Sequence, residues 1–138
     1  MKVDYGLRVL VHLAQQPHAT PVPASEIASS QRIPEAYLNQ IFSNLQRAGM
    51  IISRRGPQGG HMLARAPEQI TVAEVVTCFD RSLAPLDCVH SPGECTLSGA
   101  CSQRELWSDV ERALLELLSR TRVSDLVAKQ KVLAWAAT

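Results

Sequence analysis

Aromatic residues are scarce in this chain. Two Trp, two Tyr and two Phe make up 4% of its 138 residues. A hydrophobic core must therefore be built mainly from Leu, Val, Ile and Ala, which is typical of small helical domains, and the hydrophobic content of 46% is enough for one. The length fits one domain, or one domain with an appended dimerisation element.

Long apolar runs are also missing. No stretch approaches the roughly 18 apolar residues that a membrane-spanning helix needs. The first residues, MKVDYGLRVLVHLA, are interrupted by Asp4 and Arg8, and no small-residue cleavage site follows, so they do not have the pattern of a signal peptide. We therefore expect a cytoplasmic protein with no membrane partner, in which structural disulfides are rare.

The usual signs of an enzyme are missing too. The chain has no C-x-x-C motif, no evident nucleophile–base pair and no glycine-rich loop after a strand. We expect that the protein is not an enzyme. A thiol oxidoreductase or a cluster-transfer scaffold stays as the alternative from a different class, and salt-dependent binding to duplex DNA would separate the two.

Three of the four cysteines lie in one fourteen-residue segment, CVHSPGECTLSGAC, as Cys88, Cys95 and Cys101. Three thiolates form a soft, anionic ligand set that selects zinc, copper(I) or an iron–sulfur cluster. A tetrahedral site needs a fourth ligand. The residues alone leave three interpretations open: a cluster, a zinc ion completed by His90, and a thiol–disulfide sensor. Cys78 is interpreted as a small buried hydrophobe.

The net charge of +1 is unevenly distributed. Residues 1–66 carry seven Lys or Arg against three Asp or Glu, whereas residues 67–138 carry seven against ten. The basic first half predicts a polyanion as the partner of that half.

The first half also shows the periodicity of three helices. Apolar spacing predicts a first helix within residues 3–14, and a short second helix runs from about 24 to 29. Pro34 is predicted to be the first residue of the third helix, and Gly49 is predicted to form a left-handed cap after it. Two short helices joined by a tight turn form a helix-turn-helix.

The outward face of the third helix carries amide, hydroxyl, aromatic and cationic side chains. Asn and Gln can pair with adenine edges, and Tyr and Arg can hold phosphates, so this face is predicted to contact DNA. An ordinary solvated face is the alternative. The candidate residues are Tyr37, Asn39, Gln40, Ser43, Asn44 and Arg47.

A basic β-hairpin is predicted next, with strands at 50–55 and 61–65 around the turn 56–60. A helix-turn-helix followed by such a hairpin is a winged helix. Arginines that flank the turn are expected at phosphates or in a narrow minor groove, and its glycines let the backbone approach DNA. The candidate residues of the wing are Arg54, Arg55, Gly59, Gly60 and Arg65.

Capping boxes at residues 71–74 and 102–105 predict a fourth helix to about residue 79 and a long helix to about residue 120. Residues 80–101 between them show no periodicity and form a loop too long for an idle connector. A wide apolar stripe on the long helix predicts packing on a second protomer, with packing on the first helix of its own chain as the alternative, and the two are compatible. A final helix begins near residue 123.

The expected fold is mostly α with a small β-hairpin wing: a winged helix-turn-helix plus a long C-terminal dimerisation helix. We expect a DNA-binding domain over residues 1–79 and a cysteine-rich loop over residues 80–101. Residues 102–138 would form the dimerisation helix and the C-terminal helix.

The sequence resembles the small bacterial winged-helix regulators of the IscR, NsrR and RirA type. The resemblance spans nearly the whole chain. It implies a DNA-binding transcriptional repressor that acts as a homodimer on a near-palindromic operator, with the third helix in the major groove and the wing in the minor groove. The segments that carry it are VDYGLRVLVHLA, SEIASSQRIPEAYLNQIFSNLQRAGMI, RRGPQGGHMLAR, ITVAEVV, the three-cysteine loop and LWSDVERALLELLSRTRVSDLV.

The resemblance also implies an iron–sulfur cluster on Cys88, Cys95 and Cys101, through which nitric oxide, iron or redox state controls operator binding. The IscR type has a histidine three residues after its last cysteine, where this chain has Arg104. A His-ligated 2Fe–2S cluster is therefore less favoured than a 4Fe–4S cluster.

The fourth ligand is suggested by the NsrR type, which uses an aspartate near the N-terminus of the partner chain. Asp4 falls at the matching place. Asp4 of the partner chain is therefore the expected ligand, and an acid that favours the start of a helix is the alternative for this residue. The family usually begins a few residues earlier, so we also expect a shortened start.

Overall fold

The computed structural model describes residues 2–80 and 82–138. Within them the chain forms six α-helices and one two-stranded antiparallel sheet, which confirms the predicted mostly α fold with a small hairpin. None of these helices is both long and apolar enough to cross a membrane. In chain order the elements are α1 (Lys2–Ala14), α2 (Ala24–Gln31), α3 (Glu35–Arg47), β1 (Ile51–Arg54), β2 (Gly60–Leu63), α4 (Val72–Phe79), α5 (Gln103–Arg120) and α6 (Val123–Ala136).

Helix α1 lies at the centre of the fold. Its apolar residues recur at helical spacing, and Val9 and Leu10 are completely buried. The helix contacts α2, α3, α4, α6 and β2. At Gly6 the ring of Phe79 from α4 packs so closely that a Cβ atom would clash with it. The first helix therefore joins the helix-turn-helix to the C-terminal part of the chain.

Helix α3 packs on this core through the predicted stripe of Leu38, Ile41, Phe42 and Leu45, all of which are buried. Each fully buried side chain of this size stabilises the fold by roughly 1.5–3 kcal/mol. Because the stripe faces inward, the opposite side of α3 faces solvent.

The predictions for the two ends of α3 have different outcomes in the structure. Pro34 precedes α3 as its N-cap, with ψ at 131°, so the prediction that it is the first helical residue was wrong by one position. Its fixed φ suits both places, and the extended ψ decides between them. At the other end, Gly49 has φ of 68°, which confirms the left-handed conformation expected there.

The capping box predicted at Ser102 and Glu105 is not formed. Ser102 has helical dihedral angles, φ −65° and ψ −20°, and its side chain caps no backbone N–H. A capping side chain needs an extended backbone at its own residue to reach the next turn. The box at Thr71 and Glu74 is formed, because Thr71 is extended at φ −87° and ψ 151°.

Helix α5 leaves its apolar stripe uncovered within the protomer. Leu106, Leu114 and Leu117 are 57%, 41% and 62% exposed. The buried residue of this helix is an acid, Glu111. The stripe therefore does not contribute to the protomer's own core.

The capping box generates a pH-dependent prediction. The Thr71 N–H donates to Glu74 Oε2 at 2.9 Å, and Arg65 Nη2 lies 3.1 Å from Glu74 Oε1. The Thr71 backbone bond is the main reason that the pKa of Glu74 lies below its ordinary value of 4.5. A carboxylate with a lowered pKa contributes stability above its unfolded-state pKa and loses it as the pH falls through the folded-state pKa.

We therefore expect Glu74→Gln to lower the free energy of unfolding by roughly 0.3–1 kcal/mol at neutral pH, the usual contribution of a partly exposed acid in the first turn of a helix. The difference from the wild type should shrink as the pH falls below 4.5. Urea unfolding at several pH values measures it, with exposed Glu68→Gln as the control. A difference that stays constant or grows in acid would show that the carboxylate does not supply this stability.

Candidate DNA-reading surface and cysteine site

The exposed side of α3 carries the residues that the sequence proposed for DNA contact. Tyr37, Asn39, Gln40, Ser43 and Arg47 are exposed, and Asn44 is half-buried. We call these six residues the DNA-reading surface.

Some of these side chains are already held by neighbours. The Tyr37 ring lies 5.9 Å from the Tyr5 ring of α1, centroid to centroid. Arg47 Nη2 donates to Ser43 Oγ over a long distance of 3.5 Å. These contacts orient the two ends of the surface.

The hairpin is fixed to α3 by a short polar chain that the sequence analysis did not find. Gln46 Nε2 donates to Ser53 Oγ at 2.6 Å, and the Ser53 hydroxyl lies 2.9 Å from His61 Nδ1. The His61 ring stacks on Phe42 of α3 at 3.8 Å between centroids. Burial lowers the pKa of His61, which favours a neutral ring that can accept from Ser53. The orientation of the wing is therefore set by α3 itself.

The predicted strands pair with Ile51 opposite Leu63 and Arg54 opposite Gly60. Arg54 and Arg55 are exposed at the turned end, as the sequence suggested. In contrast, the guanidinium of Arg65 points to Glu74 Oε1, with Nη1 at 3.2 Å and Nη2 at 3.1 Å. The structure thus gives Arg65 a partner within the protein, while Arg54 and Arg55 face solvent.

Gly59 and Gly60 have internal reasons to be glycine. A Cβ atom on Gly59 would clash with the backbone carbonyl oxygen of Arg54, and one on Gly60 would clash with the backbone of Val22. Val22 and His61 exchange backbone hydrogen bonds of 2.9 and 2.8 Å at this point. The close approach observed is of the chain to itself, and an approach of these glycines to DNA stays a prediction.

The three clustered cysteines lie between α4 and α5 on a series of short 3-10 turns. Cys88 is inside the turn Asp87–Val89, Cys95 follows the turn Pro92–Glu94, and Cys101 follows the turn Ser98–Ala100. All three are free thiols and are half-buried. We call residues 82–101 the cysteine loop.

The donor set of this loop fits an iron–sulfur cluster chemically, since it offers three soft thiols within one segment. However, among residues 2–80 and 82–138 no three His, Cys, Asp or Glu side chains are grouped closely enough to hold one metal ion. Binding a metal centre would therefore require the turns of the loop to close around it.

Glu111 of α5 organises the start of this loop, and the sequence analysis missed it. Its side chain is only 10% exposed. Oε1 accepts hydrogen bonds from the N–H groups of Leu83 and Ala84 at 3.0 and 3.1 Å, and from Ser82 Oγ at 3.2 Å. His90 Nε2 lies 2.8 Å from Oε2 and, facing an acceptor, carries the hydrogen.

These contacts explain the electrostatics of the carboxyl group. The hydrogen bond from His90 is the main reason that the pKa of Glu111 lies below its ordinary value, with further contributions from Leu83 and Ser82. A signal for this role exists in the sequence. Glu111 lies at helical spacing between Trp107 and Leu115, where an acid interrupts the widened apolar stripe.

The other residues considered as ligands are placed differently. Asp4 Oδ2 forms an ion pair with Arg8 at 3.0 Å, in a groove of about 480 Å³ between α1, the end of α2 and α6. No cysteine lines this groove. Cys78 packs partly buried against the core, and burial raises the pKa of its thiol to about 11. This environment fits the interpretation of Cys78 as a small hydrophobe.

Comparison with known proteins gives a consistent result. The model of the Rrf2 family, described as iron-dependent transcriptional regulators, matches residues 1–129. The HTH-type transcriptional regulator IscR of Erwinia tasmaniensis is 33% identical over 135 residues, which cover 98% of this chain and 81% of that protein. IscR of Escherichia coli K12 is 33% identical over 132 residues, covering 96% of this chain and 81% of the relative.

Solved structures agree with the fold. IscR of T. potens is similar with a TM-score of 0.76 and 28% identity, covering 94% of this chain and 85% of that one. CymR, the global cysteine regulator of B. subtilis, is similar with a TM-score of 0.75 and 29% identity, covering 94% of this chain and 95% of that one. The oxidized form of Staphylococcus aureus CymR has a TM-score of 0.72 and 27% identity, covering 92% of this chain and 93% of that one.

Proposed function

Since the chain belongs to the Rrf2 family of transcriptional regulators, we propose that it is a DNA-binding repressor whose operator binding is controlled by an iron–sulfur cluster in the cysteine loop. The members compared here are transcriptional regulators and not enzymes. The proposal rests on one observation. The same chain carries an exposed DNA-reading surface, a wing with exposed arginines at its turn, and three free thiols on a single loop.

The DNA contact is argued from exposure and charge. The DNA-reading surface faces solvent because its helix buries the opposite side. Its Asn and Gln amides are suited to base edges in the major groove. Arg54 and Arg55 extend the basic surface beyond α3, where a phosphate or a narrow minor groove would take them. Arg65 is not part of this proposal, since Glu74 already neutralises it.

A homodimer is argued from α5. Leu106, Leu114 and Leu117 would remain in water in a monomer, although burial of such side chains is favourable by roughly 25 cal/mol per Å². We infer that the same stripe of a second protomer covers them. A two-fold dimer then requires a near-palindromic operator, with half-sites about one DNA turn or its multiples apart.

The cluster would be held by Cys88, Cys95 and Cys101, with Asp4 of the partner subunit as the fourth ligand. When bound, an iron–sulfur cluster supplies a centre that responds to nitric oxide, to oxidants or to iron shortage. We favour a 4Fe–4S cluster because Arg104, a cation, stands where the IscR type has its histidine. Asp4 can enter this set only by giving up part of its ion pair with Arg8.

A thiol-based regulator of the same fold is the second candidate. One observation favours it: an oxidized form of CymR is among the similar structures. The three half-buried free thiols could form a disulfide in place of binding iron. A zinc site with His90 has less support, because His90 lies only two residues from Cys88, an awkward spacing for two ligands of one small ion.

The wing assignment predicts a specific change in salt dependence. Arg54→Ala and Arg55→Ala should each weaken binding to all duplex sequences alike and lower the slope of log K against log salt by about one unit. Fluorescence anisotropy with a labelled duplex at several salt concentrations measures this slope.

Arg65→Ala is the matched control for this experiment. It removes the same charge, but from a guanidinium that Glu74 neutralises, so it should reduce stability and leave the salt slope unchanged. A changed slope for Arg65→Ala, together with unchanged slopes for Arg54→Ala and Arg55→Ala, would contradict the assignment.

The cysteine assignment predicts that anaerobically isolated protein is brown and contains iron and sulfide. Cys95→Ala should lose most of both, because a site with one thiolate fewer is labile. Cys78→Ala is the control, since its thiol is held protonated against the core, and it should keep colour and iron.

Iron, sulfide and the absorbance spectrum are measured together. Unchanged iron and colour in Cys95→Ala would contradict the cluster. A wild-type protein that takes up no iron but forms a disulfide with an oxidant would favour the thiol-based alternative.

A further inference from the structure

The cysteine loop is not held uniformly along its length. The residues around Cys88 are tied to α5 by a side chain from another part of the chain. In contrast, the described hydrogen bonds of residues 91–100 are local backbone turns, such as Cys95 N–H to the Pro92 carbonyl at 3.5 Å and Ser98 N–H to the Cys95 carbonyl at 3.1 Å. The three thiols therefore differ in how firmly their backbone is attached to the rest of the protein.

We propose that Glu111 is the positioning residue of the cysteine site, because its one carboxylate fixes the chain on both sides of Cys88 to α5. Before Cys88 it binds Ser82, Leu83 and Ala84, and after Cys88 it binds His90. The proposal rests on the proposed function where it concerns a bound cluster. The placement of Cys88 itself does not depend on that function.

The number and type of hydrogen bonds to Glu111 indicate that it holds this part of the cysteine loop in place. The Glu111 side chain is only 10% exposed, and a carboxylate held away from water to this extent needs hydrogen-bond partners. Here the protein supplies two backbone N–H groups, one hydroxyl and one imidazole, all within 3.2 Å. Hydrogen bonds to a charged acceptor are stronger than those between neutral groups. Opening this part of the loop would therefore break all four of these hydrogen bonds at once.

The position of the other two thiols completes the inference. Cys101 lies two residues before α5 begins at Gln103, so its backbone is fixed by that helix. Cys88 and Cys101 are thus both held relative to α5. Glu111 fixes the chain around Cys88, and the backbone that leads into the helix fixes Cys101. Cys95 rests on local turns alone and is the least constrained of the three thiols. Glu111 therefore determines which part of the loop is rigid when the site closes.

The test uses Glu111→Gln, which keeps the size of the side chain and removes its charge. Glu116→Gln, an exposed acid on the same helix, is the matched control. In cluster-free protein, amide hydrogen exchange of Leu83 and Ala84 should become faster by about tenfold in Glu111→Gln, because their N–H groups would then donate to a neutral amide oxygen in place of a charged one. Exchange at Glu94 and Ala100, in the local turns, should change little.

The second readout is the rate at which anaerobically loaded protein loses iron to a chelator. We expect this rate to rise by about tenfold in Glu111→Gln and to stay at the wild-type value in Glu116→Gln. His90→Gln, which removes one of the four partners, should give a smaller rise. The double variant should show less than the sum of the two effects, because both residues act through one contact.

The outcomes are distinct. Unchanged exchange at Leu83 and Ala84 would overturn the proposal. Faster exchange with unchanged iron loss would also overturn it, since Glu111 would then be a structural clamp with no influence on the site. If Glu111→Gln does not fold, the milder His90→Gln decides by the same two readouts. If the wild type takes up no iron, the proposed function fails, and the exchange result alone decides whether Glu111 positions Cys88.

Discussion

The burial of α1 between the helix-turn-helix and the C-terminal helices is the constraint on which the rest of the structure depends. Val9 and Leu10 have no exposed surface, and the helix contacts α2 and α3 on one side and α4 and α6 on the other. The contact of Phe79 with Gly6 leaves no room for a side chain at that point. Since packed interiors do not deform continuously, a displacement of α4 must move α1 or break this packing.

Two carboxylates extend this constraint to the two functional regions. Glu74, in the first turn of α4, binds Arg65 at the end of the wing. Glu111 binds the residues that follow α4 and, through His90, the far side of Cys88. The path from the wing to the cysteine loop therefore consists of one short helix with a charged contact at each end. Such a path offers a physical route by which the state of the cysteines could alter the placement of the wing.

The features that could be predicted from the sequence are those set by residues close together in the chain. The stripe of α3 and the capping box at Thr71 are set by residues three or four apart, and both were found. The failure at Ser102 shows the limit of the same rule, because its backbone is helical and cannot present the side chain to the next turn. The family resemblance and the match over residues 1–129 account for the rest of the architecture.

The missed features are all contacts between different elements of the fold. The partner of Arg65, the link from Gln46 to His61 and the reason for Gly60 depend on how separate elements meet. Glu111 and His90 are 21 residues apart, and no local pattern pairs them. The cysteines were identified by their type and proximity in sequence, but their spatial arrangement, on separate turns, could not be read from that spacing.

The central claim is that the state of the cysteine loop controls DNA binding. It is tested most directly by measuring the affinity of anaerobically loaded and cluster-free protein for one duplex at one salt concentration, with the duplex obtained by repeated selection on the loaded protein. We expect affinities that differ by roughly 5- to 150-fold, the usual range of coupling between two sites. Equal affinities for the two forms would contradict it.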